Sequence, residues 1–143
     1  SFALGNREVI SKFRAFRSQI DYGMFYPIQA GAVAALTGPQ DIVARNREGY
    51  MARCDALCGG LRSIGWDVPD AQGTMFVWAK IPDRFASSVD FVVELMEKTG
   101  VIGVPGSAFG AQGEGYVRFA LVVPPERMAE AVRRIDQSGI LKG

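Results

Sequence analysis

The chain has no histidine in its 143 residues, only two cysteines and only four lysines. Without an imidazole it cannot assemble a Ser-His-Asp or Cys-His catalytic site, and Cys54 and Cys58 cannot complete a Cys/His zinc set. No metal centre is expected, and two free thiols fit a reducing, cytoplasmic setting. The net charge is only +1 and the arginines are spread along the chain, unlike the clustered basic face that binds nucleic acid. No apolar run approaches the ~20 residues of a membrane-spanning helix, and the opening residues lack the charged-then-apolar layout of a signal peptide. Acidic residues are scattered, so paired-carboxylate chemistry has no support. Lys12, Lys80, Lys98 and Lys142 read as surface residues, because a reactive amine needs desolvation or a cationic neighbour.

What is present suits a folded domain: 48% apolar and 22% charged residues lie far from the composition of disorder. Asn6 is placed to cap a helix whose Val9, Ile10, Phe13, Phe16 and Ile20 recur at three- and four-residue steps. Pro27 opens a short helix rich in alanine and glycine. Pro39 and Asp41 start a long helix with the stripe Ile42, Tyr50, Cys54, Leu57, Leu61 and Ile64, stopped at Gly65. Thr74 to Ile81 alternates with the period of a strand. Ser87 and Asp90 resemble a capping box for a helix whose apolar residues are Val89, Val92, Val93 and Met96, ending at Gly100. Val101 to Val104 and Tyr116 to Val123 are further strands, and Pro124-Pro125 opens a last helix with Met128, Ala131, Val132 and Ile135. The strands are too few for a doubly wound sheet. The expected fold is α/β (α+β-like), a small three- to four-stranded sheet with helices packed mainly on one face.

Arg118 stands on the last strand, close behind a glycine-rich loop. Alternation places Tyr116, Arg118, Ala120 and Val122 on one face and Val117, Phe119, Leu121 and Val123 on the other. From such a position a guanidinium can present its planar fork to a carboxylate, or it can be a solvated residue on a half-exposed sheet. Glycines 103, 106, 110, 113 and 115 invite a phosphate cradle, but no Gly-Lys-Ser/Thr follows, and a strand-loop-strand connection with positive φ angles is expected. Phe76, Trp78 and Phe109 fit core packing better than a pocket lining.

The motif Pro105-Gly106-Ser107-Ala108-Phe109-Gly110, then Gly113-Glu114-Gly115-Tyr116-Val117-Arg118-Phe119-Ala120 and a proline-started helix, resembles the C-terminal part of class I/II, aspartate aminotransferase-like, pyridoxal-phosphate aminotransferases of fold type I. Phe2-Ala3-Leu4-Gly5-Asn6 looks like the stretch after that family's lysine-bearing segment. Tyr22-Gly23-Met24-Phe25-Tyr26-Pro27-Ile28-Gln29 looks like its Pro-x-Gln helix, and Gly73-Thr74-Met75-Phe76-Val77-Trp78 is similar to its Gly-x-x-Phe-x-Trp strand.

The resemblance implies that residues 41–143 are the small domain and 1–40 a helical segment from the large-domain side. It implies that Arg118 binds the substrate α-carboxylate, and that Tyr22 and Phe25 line a site across a dimer interface, with ordinary loop packing as the other reading. The implied cofactor is pyridoxal 5'-phosphate, and the partners are an amino acid, a 2-oxo acid and a second copy of the enzyme, with no nucleic acid and no membrane. None of the four lysines carries the family's Ser-x-x-Lys pattern. The chain is therefore expected to be part of a longer enzyme, with no catalytic residue, covalent cofactor or transaminase activity of its own. A lyase or synthase on the same scaffold, or the ligand-sensing half of a transcription regulator, needs the same carboxylate clamp. Alanine, aspartate, aromatic amino acids and diaminopimelate all remain open as substrates.

Overall fold

Asn6 starts the first helix, α1 (Arg7–Ile20), where its side-chain oxygen accepts the backbone N–H of Glu8 at 2.9 Å and of Val9 at 3.3 Å, satisfying donors that no helical carbonyl can reach. The computed structural model describes residues 2–142, and the chain divides into two compact units, Ser1–Ile42 and Val43–Gly143.

In the first unit, α1 is followed by α2 (Tyr26–Thr37), which has a proline in its first turn. The Gln29 side chain donates to the Met24 carbonyl at 2.7 Å, tying the connecting turn to the start of α2. Neither helix buries a residue. The periodic residues of α1 are a face without a core in this unit: Val9, Phe16 and Ile20 are each more than 60% exposed.

The long helix expected from Pro39 is not one regular element. α3 (Asp41–Cys54) runs into a π-helical turn, Asp55–Gly59, and a last turn, α4 (Gly60–Ser63), before Gly65 stops it at φ 91°. The wider turn rotates the buried set to Cys54, Leu57, Cys58 and Leu61, so Cys58 joins the core although the simple stripe omits it. Ile42 remains exposed.

The sheet has three strands, β1 (Phe76–Lys80), β2 (Val104–Pro105) and β3 (Tyr116–Ala120), in the order β1-β3-β2. Both neighbours run antiparallel to β3, with Trp78 and Val104 each opposite Arg118. Val77, Ala79, Val117 and Phe119 point into the core with Phe91 and Leu95 of α5 (Ser88–Thr99) and Met128, Val132 and Ile135 of α6 (Pro125–Ser138). Trp66 sits among them, edge-on to Phe91 at 5.5 Å and Phe119 at 5.9 Å, its N–H donated to the Lys80 carbonyl at 2.8 Å. At Gly60 a Cβ would meet Val132 Cγ2 at 2.8 Å, so the missing side chain lets α6 approach. This matches the expected fold of a small sheet with helices on one face.

Three details differ from the sequence reading. On α5, the face that packs carries Ser88, Phe91, Leu95 and Thr99, while Val89, Val93 and Met96 are exposed. The apolar residues of this helix spread over a wide arc opposite Asp90, Glu94, Glu97 and Lys98, and the part with the larger Phe91 and Leu95 gains more from burial. The second strand starts only at Val104, because Thr99 Oγ1 accepts the Val101 N–H at 3.0 Å and ties that residue to the helix end. Of the five loop glycines only Gly110 and Gly115 have positive φ. Gly103, Gly106 and Gly113 are needed for space: a Cβ on Gly103 would lie 2.6 Å from Val117 Cγ2, and one on Gly106 would overlap the Gly113 carbonyl oxygen.

Candidate functional site

The uncovered sheet face carries Phe76 and Trp78 from β1 and Tyr116 and Arg118 from β3, all half-buried. Strand alternation brings them together, because residues two apart share a face and the β1–β3 register sets Trp78 against Arg118. The turn Gly106–Phe109 adds a fourth aromatic ring. The Arg118 guanidinium carbon lies 4.0 Å from the Phe76 ring centroid and 4.3 Å from that of Phe109. Trp78 stacks on Tyr116 at 5.7 Å and meets Phe109 edge-on at 5.7 Å. The expectation that Phe76, Trp78 and Phe109 belong to the core is thus corrected: Phe76 and Phe109 flank the guanidinium, and Trp78 packs beside them against Tyr116 and Phe109.

Rings bind a guanidinium through its flat faces and leave its N–H edge available. Among the described residues no carboxylate pairs with Arg118, and no side-chain donor is both buried and unpartnered. Its N–H groups are therefore accessible and carry no side-chain partner among the described residues. Two larger hollows of the second unit, about 580 Å³ beside Cys54 and Thr74 and about 320 Å³ beside Ile102 and Met128, do not include Arg118. Arg47 lines the first and Arg127 and Arg134 the second, none of them flanked by two rings as Arg118 is.

The loop leading to β3 is held by Glu114. Its carboxylate accepts the backbone N–H of Gly115 at 2.8 Å and of Ser88 at 2.6 Å, and the Ser88 hydroxyl at 3.2 Å. These donors, Gly115 first, hold the Glu114 carboxyl below its ordinary range. Ser88 opens α5, where a carboxylate also meets the positive end of the helix. Sequence reasoning missed Glu114, because its partner stands 26 positions away.

Tyr22 and Phe25 lie in the first unit, both exposed, Phe25 just before α2. Cys54, Cys58 and Asp70 bring three possible metal ligands within 4.8 Å of one another. Asp70, however, already pairs with Arg62 at 2.9 Å, and burial pushes the Cys58 thiol up to about 12, which disfavours the thiolate a metal would need. No described helix is long and apolar enough to cross a membrane.

Residues 1–135 match the family described as Aminotransferase class I and II. The chain is 42% identical over 139 residues to the LL-diaminopimelate aminotransferase of Halothermothrix orenii, covering 97% of this chain and 36% of that protein. It is 40% identical over 136 residues to the glutamate-pyruvate aminotransferase AlaC of Escherichia coli, covering 94% and 33%. Among solved structures, substrate-bound BacF from Bacillus subtilis superposes with a TM-score of 0.84 at 32% identity, covering 94% of this chain and 34% of that one. The chain spans about a third of the length of the curated relatives it matches. An open-faced three-stranded sheet with a ring-flanked arginine, carried on a sequence that this family matches almost end to end, places the chain in the class I and II aminotransferase family.

Proposed function

We propose that the protein is a pyridoxal-phosphate-dependent aminotransferase, moving an amino group between an amino acid and a 2-oxo acid, and that Arg118 receives the α-carboxylate of both. The observation that carries this reading is the Arg118 guanidinium, with rings against its faces and no carboxylate of its own. Amino acid and 2-oxo acid share a carboxylate next to the reacting carbon, so one clamp serves both directions. Two parallel charge-assisted hydrogen bonds would fix that carbon in distance and rotation.

Pyridoxal phosphate itself does not fit the lysines of this chain. Lys12 pairs with Glu8 at 2.7 Å, Lys80 with Asp83 at 2.7 Å, Lys98 with Glu94 at 2.8 Å and Lys142 with Asp136 at 3.7 Å, all with exposed side chains. None of these amines has the desolvated pocket that activates a Schiff-base lysine. The contribution of this chain is to the substrate, and transaminase activity belongs to the intact enzyme.

Residues 1–40 are read as the large-domain side and 41–143 as the small domain. Tyr22 and Phe25 are read as lining the site of a second subunit in a cytoplasmic homodimer, which their exposure favours. The names of the relatives favour a transaminase over a lyase, synthase or ligand sensor on the same scaffold. Those names differ in amino donor, so the substrate class stays an α-amino acid.

The test is Arg118→Ala in the intact enzyme. Loss of one partner of a desolvated charge pair costs on the order of 2–5 kcal/mol, which should appear in kcat/KM for both substrates. Unchanged kcat/KM would remove Arg118 from the site.

A further inference from the structure

We propose that Glu114 is a positioning residue for Arg118: through Ser88 and Ser107 it holds the 106–113 turn so that the Phe109 ring rests on the guanidinium. This rests on the reading of Arg118 as the carboxylate receptor and extends it to residues that touch neither substrate nor arginine.

The linkage is continuous. Glu114 takes the Ser88 N–H and hydroxyl, and the Ser88 and Ser107 hydroxyl oxygens lie 3.1 Å apart. Ser88 has a single hydroxyl proton, and giving it to the carboxylate leaves Ser107 as the donor between the two hydroxyls. The Ser107 backbone N–H also reaches Ser88 Oγ at 3.3 Å. Ser88 is fully buried, so the serine end of this junction is shielded from competing water, while Glu114 reaches it from an exposed position. Ser107 and Phe109 share one 3-10 turn, Gly106–Phe109, and the turn is closed at its base by the backbone crossing of Gly106 and Gly113. Phe109 is itself 51% exposed and has little core to hold it. Without the carboxylate anchor the ring can leave the guanidinium, which then samples more rotamers and binds a carboxylate less well.

The experiment compares Glu114→Ala, Phe109→Leu, the double variant and Arg118→Ala in the intact enzyme. The readouts are KM and kcat for both substrates, melting temperature, and the affinity for propanoate, which keeps the carboxylate but has no amine to react, followed by the NMR shift of the Trp78 indole. Glu114→Ala and Phe109→Leu should each weaken propanoate binding and raise KM by about 5-fold, the scale of one cation–π contact, with kcat changed far less. The double variant should be no weaker than either single one, because both act through the same ring. Ser107→Ala removes the hydroxyl half of the linkage without removing a charge, leaving the backbone N–H on Ser88 Oγ, and should shift propanoate affinity in the same direction by a smaller factor. If propanoate binds Glu114→Ala and Ser107→Ala as tightly as wild type while Arg118→Ala loses it, or if the two single effects add, the positioning role is overturned. If Arg118→Ala also binds propanoate normally, the carboxylate receptor itself is overturned.

Discussion

Trp78 and Arg118 are directly opposed across the β1–β3 ladder, yet the ring that lies under the guanidinium is Phe76, one diagonal step away. Diagonal neighbours on an antiparallel sheet are within reach of long side chains, and this offset leaves Trp78 free to stack on Tyr116. Replacing Phe76 by Leu keeps apolar bulk and removes the π face. KM for both substrates should rise several-fold, and stability should change by no more than about 1 kcal/mol, the value of an exposed cation–π contact. Steady-state kinetics and thermal melting decide it.

Glu114 has a folded-state pKa held below the ordinary 4.5 by the Gly115 and Ser88 donors. A depressed carboxyl pKa contributes stability above the unfolded value and loses it as pH falls through the folded one. Wild-type stability should therefore fall as pH drops below about 4.5, and Glu114→Gln should show a shallower decline. Urea unfolding at pH 7, 5, 4 and 3 measures both curves.

Gly106→Ala should damage the site more than its size suggests. A Cβ there would overlap the Gly113 carbonyl oxygen and lie 2.8 Å from the Tyr116 carbonyl oxygen, backbone atoms that can yield only by displacing the turn carrying Phe109. The expected result is raised KM with a lowered melting temperature. Gly110→Ala, where a Cβ meets nothing within 4 Å but φ is 113°, should cost stability through backbone strain alone.

Phe91 and Val93 test which face of α5 packs. Phe91 is fully buried against Trp66 and Phe85, so Phe91→Ala should cost about 3–5 kcal/mol. Val93→Ala, at a position 44% exposed, should stay within about 0.5 kcal/mol. Equal effects in chemical denaturation would reverse the assignment of the buried face.

Cys58 should resist alkylation in the native protein. Burial, then the Cys54 contact, raises its thiol from 9.0 to about 12, so at pH 8 almost no thiolate is present to react. The unfolded thiol ionises near 9.0 while the folded one stays protonated, so stability falls as pH rises through this window. Cys58→Ala should flatten that fall between pH 9 and 10.5, and iodoacetamide labelling with and without urea reports the reactivity.

The legible parts of the fold were those written in short-range chemistry. Asn6, Ser87 and Gly100 mark helix ends through bonds spanning two to four residues, and alternation alone assigns Arg118 to the uncovered face. What stayed hidden depends on distant partners. The π turn at Asp55–Gly59 leaves no periodic signature, and α5 has a wide apolar arc of which only the tertiary core chooses the buried part. Glu114 looks like any loop acid until Ser88 arrives beside it. The cradle of Phe76 and Phe109 combines a strand with a turn more than 30 positions away along the chain. Aromatic residues near a sheet look the same in sequence whether they fill a core or hold a cation.

The strand order has a consequence for how firmly this scaffold holds its arginine. β3 is the middle strand, laddered on both sides, so the Cα of Arg118 is the most constrained point of the uncovered face. The Phe109 turn, anchored through Ser107 to Ser88, is tied to the same fixed frame. The backbone beneath the guanidinium is thereby fixed, and amide exchange should be slowest at Val117 and Phe119.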